Sequence, residues 1–140
     1  AQLFFLKPIL ASMVERKSGI LLFMTSAAAY EPPFAMPGEG GWGSAYTISK
    51  AGFHRLAIQL GFEYQNSGVI TLNLQPGLVA TERVKLVRGP VENVASLGVS
   101  PAIIGKVVAH VVREQGNYVS GETIQLQEVA RDLGLLVTNS

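Results

Sequence analysis

Apolar residues recur along the first 17 positions at spacings of three and four, which is the period of an amphipathic helix. Pro8 lies within this pattern, so we expect the regular helix to begin there, with proline in its first turn, and to end before Gly19. Residues 20–24 follow as a short, continuous apolar run, which is typical of a strand buried on both faces. The chain therefore opens with a helix and a buried strand.

The same order of helix and strand returns twice more. Ser44 is the predicted N-cap of a second helix, whose apolar stripe consists of Ile48, Phe53, Leu56, Ala57 and Leu60. Residues 69–74 predict the second strand. Ser100-Pro101 fits the cap and first position of a third helix that extends to Gly116, and residues 122–126 predict the third strand.

Three helix–strand pairs in succession predict an α/β fold, in which helices flank a parallel sheet. Residues 128–140 carry a weaker pattern, which fits one short helix and a loose tail. In parallel sheets of this kind, ligands bind beyond the carboxyl ends of the strands. Ser26 and Pro76-Gly77 follow two of the predicted strands, so we expect a site at this edge of the sheet.

The amino-acid composition excludes some classes of function but does not identify one. The 140 residues are 48% hydrophobic and 15% charged, which is enough for one domain with a sizeable core. The net charge is +1 and the eleven basic residues are scattered, so nucleic acid is not an expected partner. No stretch reads as a membrane span, so we do not expect a membrane as partner either. The sequence has no cysteine, and its two histidines, His54 and His110, lie far apart without a predicted partner. We therefore expect no metal site and a cytoplasmic location.

Tyr46 and Lys50 stand four residues apart at the start of the second predicted helix, which places them on the same face. A phenol titrates at about pH 10 in water, and a neighbouring cation favours the phenolate, so such a pair makes a tyrosine usable as an acid and base. The pair also fits an exposed helix start with a solvated lysine. Its place between two strand ends that carry Ser26 and Pro76-Gly77 favours the chemical interpretation.

A glycine-rich run precedes this pair. Residues 38–43 match the Gly-x-Gly-x-x-Gly pattern of a dinucleotide phosphate turn, and Glu63 lies where a ribose-binding acid could follow. That turn must come directly after its strand, however, and the predicted strand ends at Met24. The run therefore favours a lid or an insertion within residues 27–43 over a phosphate turn.

In their order along the chain these motifs resemble the carboxyl-terminal half of the short-chain dehydrogenase/reductase family. The matching stretches are Gly19–Ser26, Tyr46–Lys50 with Gly52, Asn73–Thr81 and Tyr118–Ile124. The resemblance implies that residues 1–127 form the second half of a doubly wound, Rossmann-like NAD(P)-binding domain. Residues 128–140 would then be a carboxyl-terminal tail.

The resemblance also implies hydride transfer between a nicotinamide cofactor, NAD or NADP, and a carbonyl or alcohol substrate. Tyr46 would act as general acid and base, Lys50 would assist it and bind the nicotinamide ribose, and Ser26 would hold the substrate oxygen. Tyr46 would touch the cofactor as well. The remaining cofactor contacts would come from Pro76, Gly77, Val79 and Thr81.

Two further expectations follow from the resemblance. Residues 82–99 correspond to the variable substrate loop of the family. The basic side chains of this loop are Arg83, Lys85 and Arg88. They fit a solvated surface better than a site for an acidic substrate. The first two helices correspond to the elements through which family members commonly associate, so we expect a homo-oligomer.

The sequence also departs from the family pattern. It contains no counterpart of the amino-terminal half with its glycine-rich phosphate turn, so we expect a segment of a larger oxidoreductase. The stretch from Ser26 to Tyr46 is longer than usual, and Gln127-Glu128-Val129 replaces the usual acid and paired glycines. The alternative is a truncated or degenerate member that acts as a non-catalytic, oligomerising or partner-binding module.

Overall fold

A computed structural model describes residues 2–82, 84 and 98–136 of the chain. The described residues form three strands and four α-helices, which alternate as the apolar pattern predicts. In chain order these elements are α1 (Gln2–Glu15), β1 (Gly19–Met24), α2 (Ser44–Glu63), β2 (Val69–Gln75), α3 (Pro101–Arg113), β3 (Thr123–Gln125) and α4 (Leu126–Asp132). No helix among these residues is both long and apolar enough to cross a bilayer.

The strands form one parallel sheet in the order β1-β2-β3, which confirms the predicted α/β class. Along the first pair, Gly19 lies beside Val69 and Met24 beside Leu74; along the second, Gln75 lies beside Gln125. The central strand β2 is bonded on both sides. Because all three strands run the same way, their carboxyl ends lie at a single edge of the sheet.

Two apolar clusters cover the two faces of the sheet. Side chains alternate between the faces of a strand, so Leu21 and Phe23 of β1 pack with α1 and α2, while Ile20 and Leu22 pack with α3 and α4. The α3–α4 cluster is the larger one. Full burial of an aliphatic side chain contributes about 1.5–3 kcal/mol, so this two-sided packing explains why the strand sequences are continuously apolar.

The first helix begins earlier than the sequence predicts. It extends from Gln2, and Pro8 lies inside it rather than at its start. A proline inside a helix removes the hydrogen bond to the carbonyl four residues before, here that of Phe4. Leu6 and Leu10, on either side of Pro8, both pack against the α1–α2 cluster. We infer that this shared burial outweighs the lost bond and keeps the helix continuous.

The predicted N-cap of α2 is also wrong by one residue. Gly43 has extended backbone angles and is the N-cap, so Ser44 is the first helical residue and makes no capping bond. The Gly43 carbonyl accepts hydrogen bonds from the backbone N–H and the hydroxyl of Thr47, at 3.0 and 3.1 Å. By contrast, the cap of α3 is confirmed, since the Ser100 hydroxyl accepts a bond from the N–H of Ala102.

The short helix predicted near the end of the chain is present, but it begins earlier than predicted, at Leu126. β3 is shorter than expected, because Leu126 already belongs to α4, whose Leu126 and Ala130 are fully buried. The predicted boundary between residues 127 and 128 falls inside this helix. Leu135 and Leu136 pack against the α3–α4 cluster, and residues 137–140 lie outside the described part of the chain.

Candidate active site

Two polar side chains of β2 fix α2 on the sheet. The Thr71 hydroxyl donates to the Ala57 carbonyl at 2.7 Å, and the Asn73 amide donates to the His54 carbonyl at 3.1 Å. Thr71 and Asn73 are fully buried, so an unmade bond at either position would leave a desolvated polar group. These bonds hold the helix in register, and its first turns then lie at the carboxyl edge of the sheet.

Tyr46 and Lys50 lie on the same face of α2, as their spacing predicts. The Lys50 ammonium donates a hydrogen bond to the Met24 carbonyl at the end of β1, at 2.9 Å. Its nitrogen is 5.9 Å from the centre of the Tyr46 ring, which is within the range of a cation–π contact. Tyr46 remains 45% exposed. The strand end therefore fixes the cation beside a tyrosine that solvent or a ligand can reach.

Ser26 lies two residues after the end of β1 and takes an extended backbone conformation. Its Oγ accepts a hydrogen bond from the Ala28 N–H at 3.3 Å and so caps the short 3-10 helix at residues 27–29. As an acceptor in that bond, the hydroxyl still has its own hydrogen to donate. Ser26 is half-buried and can present this hydrogen to a ligand oxygen.

One cavity brings most of the predicted site residues together. It encloses about 550 Å³ and lies at the carboxyl edge of the sheet. Its described lining consists of Ser26, Ala27, Phe34, Trp42, Tyr46, Gln75, Gly77, Leu78, Val79, Thr81 and Val84. Ser26, Tyr46, Gly77, Val79 and Thr81 are thus gathered in one place, while Lys50 and Pro76 lie beside the cavity without lining it.

The loop after β2 is held from both sides. Gly77 has φ of 65°, a left-handed conformation that other residues adopt only with strain, and its N–H donates to the Gln75 side chain at 2.6 Å. From the other side, the Gln127 amide donates to the carbonyls of Pro76 and Leu78, at 3.0 and 3.2 Å. Gln127 was absent from the predicted site, because only the fold brings α4 to this loop.

Val79 and Thr81 continue this wall of the cavity. Val79 pairs with Val99, and its carbonyl accepts a bond from the N–H of Thr81 at 2.8 Å. The Thr81 hydroxyl accepts a bond from the Val84 N–H at 3.3 Å, as a helix-capping residue does, and it keeps its own hydrogen to donate. The basic residues predicted for the substrate loop, Arg83, Lys85 and Arg88, lie outside the described residues.

The glycine-rich run does not follow a strand. Gly38 and Gly40 have φ of 94° and 101° and form a turn that is separated from β1 by the rest of the insertion. The geometry supports the predicted insertion, because a phosphate turn must connect a strand directly to a helix. Phe34 and Trp42 pack edge to face within this insertion, with ring centres 4.9 Å apart.

The expectation that His54 lacks a partner is wrong. Its Nδ1 lies 2.9 Å from the hydroxyl of the buried Thr25, and its ring centre is 5.0 Å from that of Tyr30. Burial lowers the pKa of the His54 imidazole below its usual value. His54 thereby ties α2 to the strand end that carries Ser26. The spacing of four from Tyr46 to Lys50 to His54 was the available signal, since it puts all three on one face.

The matched family model is that of the short chain dehydrogenases, and it covers residues 2–90. A curated relative, the acetoacetyl-CoA reductase of Acinetobacter sp. (strain RA3849), is 28% identical over 130 residues, which are 86% of this chain and 48% of that protein. All seven predicted site residues fall within the stretch that the family model matches.

Solved structures show the same fold. A 4-hydroxyisoleucine dehydrogenase mutant complexed with NADH and succinate aligns with a TM-score of 0.68 at 18% identity, over 89% of this chain and 52% of that one. The TT0495 protein from Thermus thermophilus aligns with a TM-score of 0.65 at 24% identity, over 81% and 48%. A structure from Beutenbergia cavernae with bound NADP aligns with a TM-score of 0.65 at 22% identity, over 83% and 47%.

The chain spans about half the length of each of these proteins, and each match covers most of the chain itself. The fold is accordingly Rossmann-like, with three of its parallel strands present here. A family model that matches more than half of the sequence settles its ancestry: this chain belongs to the short chain dehydrogenase family.

Proposed function

We propose that this chain carries the catalytic part of an oxidoreductase that uses NAD or NADP to interconvert a carbonyl compound and an alcohol. The observation that supports it is the shared cavity, which Ser26, Tyr46 and the Pro76-Gly77 loop approach from three different elements. Reduction of a carbonyl needs a proton donor and a group that stabilises the oxygen as it becomes negative. The cavity offers a phenol and a serine hydroxyl for these tasks.

Each side chain has a proposed task. The Tyr46 hydroxyl gives its proton to the substrate oxygen in reduction and takes it back in oxidation. The Ser26 hydroxyl donates a hydrogen bond to the same oxygen, and its Ala28 bond sets the direction of the donor. Lys50 places its positive charge beside Tyr46, where it favours the charge that develops when the phenol loses a proton.

The residues present fit the nicotinamide end of a cofactor, which supplies or accepts the hydride when it is bound. The loop at Pro76 and Gly77 forms a fixed cavity wall, because Gln75 and Gln127 bond it from both sides. Thr81 can donate its hydroxyl hydrogen to a carboxamide or diphosphate oxygen. Among the aligned structures one holds NADH and another NADP, so the proposal includes both cofactors.

The change Tyr46→Phe tests this proposal in the full protein. It removes one oxygen and keeps the ring next to Lys50, so we expect turnover to fall by roughly 10²–10⁴-fold, the usual contribution of a positioned acid and base. Cofactor binding, measured by titration with NADH and NADPH, should change less than threefold. Tyr64→Phe at the other end of α2 is the matched control and should keep full turnover. Undiminished turnover in Tyr46→Phe would disprove the role of Tyr46.

A second candidate function is association with other chains through the first two helices. Phe4 and Phe5 on α1 are 83% and 73% exposed, and Ile9 and Ile48 are exposed as well. Large apolar side chains that remain exposed on these two helices are candidates for contact with another protein. We propose a homo-oligomer on this basis, and sedimentation of Phe5→Lys against the unchanged protein tests it. Equal sedimentation coefficients would exclude α1 as the interface.

A cytoplasmic location is part of the proposal as well. It is supported by the cysteine-free sequence alone. Fractionation of the cells that produce the protein, followed by detection of the chain in each fraction, tests it. Recovery in a secreted or periplasmic fraction would contradict it.

A further inference from the structure

Two aromatic side chains of the insertion line the cavity next to Tyr46. The rings of Phe34 and Trp42 lie at 88° to each other with centres 4.9 Å apart. Phe34 is nevertheless 67% exposed, so the pair does not form the centre of a buried loop core. A large apolar side chain that stays exposed at the wall of a cavity provides contact surface for a ligand.

The loop between the two rings is built to bring them together. The N–H groups of Glu39 and Gly41 both donate to the Met36 carbonyl, at 3.0 and 3.2 Å, which closes a tight turn. At Gly41 the backbone passes so close to the Ala35 carbonyl that a Cβ would overlap it. The glycine therefore permits the close approach that places Trp42 beside Phe34.

The described lining of this cavity contains no charged side chain. Its polar members are hydroxyls and an amide, contributed by Ser26, Tyr46, Thr81 and Gln75. An apolar group of a ligand that lies against the two rings leaves water together with them, which favours its binding. A neutral ligand with one oxygen can use the hydroxyls and lay its apolar part against the two rings.

We propose that Phe34 and Trp42 form the substrate wall of the cavity, and that the substrate class is a ketone, or the matching alcohol, that carries an apolar ring. The carbonyl oxygen lies toward Ser26 and Tyr46, and the ring lies against the aromatic pair. This assignment rests on the proposed oxidoreductase function for the carbonyl, and on the exposed aromatic pair at the cavity wall for the ring.

Trp42 is the only tryptophan in this sequence, so comparison with Trp42→Phe identifies the part of the full protein's fluorescence that reports on this wall. We would titrate the full protein, with and without NAD⁺ or NADP⁺, with 4-methylcyclohexanone and with 4-hydroxycyclohexanone. These probes share the ring and the ketone and differ by a methyl or a hydroxyl group. We expect a saturable change in emission that is lost in Trp42→Phe, with a Kd about fivefold lower for the methyl compound. Equal or tighter binding of the hydroxyl compound, or no saturable binding of the methyl compound, would overturn the proposal.

Substitutions of Phe34 test the aromatic wall without changing the residues that are proposed to catalyse the reaction. Phe34→Ala should weaken binding of 4-methylcyclohexanone about fivefold or more, and Phe34→Leu should restore part of it because it returns apolar surface. Phe62→Ala, at an exposed position near the other end of α2, is the control and should leave the Kd unchanged. Unaltered affinity in Phe34→Ala would refute the aromatic wall.

The proposed oxidoreductase function can fail independently. Tyr46→Phe should retain the Trp42 signal while it loses turnover. If 4-methylcyclohexanone binds with the expected preference but the unchanged protein never turns over a carbonyl compound, the wall stands and the proposed function fails. If turnover depends on Tyr46 but 4-hydroxycyclohexanone binds better, the function stands and the substrate class is wrong.

Discussion

Two glycines of α2 offer a sharp test of how this helix is seated, because only one of them touches another element. A Cβ at Gly61 would lie 2.6 Å from the Gly121 nitrogen and 2.8 Å from the Ser120 carbonyl carbon, both backbone atoms of the turn before β3. A Cβ at Gly52 would meet nothing within 4 Å. The helix also carries Tyr46 and Lys50, so its seating determines where the candidate catalytic groups lie.

The expected difference in the free energy of unfolding between Gly52→Ala and Gly61→Ala follows from two opposing effects. Alanine is favoured over glycine inside a helix by about 1 kcal/mol, and this gain is common to both positions. At Gly61 the turn must move away by several tenths of an ångström, and overpacking of this kind costs about 1–3 kcal/mol. The free energies of unfolding of Gly52→Ala and Gly61→Ala should therefore differ by about 1–3 kcal/mol.

Urea unfolding of the full protein, followed by circular dichroism, measures this difference. We expect Gly52→Ala to be at least as stable as the unchanged protein and Gly61→Ala to be less stable than Gly52→Ala. The turn itself is anchored, since the Gly121 N–H donates to the Thr71 carbonyl at 2.7 Å, so it cannot move freely to make room. Equal stabilisation by the two substitutions would refute the close packing of α2 against this turn.

Two further predictions concern contacts that the fold alone creates. Gln127→Ala removes both bonds to the loop at Pro76 and Leu78, so we expect the affinity for the cofactor to fall about three- to tenfold. Glu128→Ala is the neighbouring control. Unchanged affinity of Gln127→Ala in titrations with NADH and NADPH would contradict this prediction. Burial lowers the pKa of His54 in the folded protein below its unfolded value of about 6.5. Below about pH 6.5 the unfolded chain therefore binds the proton more readily than the folded one, and the free energy of unfolding falls as the pH falls. The free energy of unfolding should therefore decline more steeply from pH 7 to 5 in the unchanged protein than in His54→Gln, and parallel profiles would argue against a lowered pKa of the half-buried His54 imidazole.

The sequence by itself determines the order of elements and most of the candidate chemistry. Continuous apolar runs predict β1 and β2 because the sheet is covered on both faces, and the Ser100-Pro101 cap predicts the start of α3. Ser26 and Pro76-Gly77 could be assigned to one edge because parallel strands share a direction. These are local properties, each set by a few consecutive residues.

Only the tertiary structure decides the contacts between distant residues. Pro8 lies inside a helix whose Leu6 and Leu10 pack against the same cluster, and this packing depends on the rest of the fold. His54 finds Thr25, and Gln127 finds the loop after β2, across separations of 29 and about 50 residues, which no periodicity can reveal. Such pairs depend on how helices are seated on the sheet, and that seating is a sum over many side chains rather than a property of any one motif.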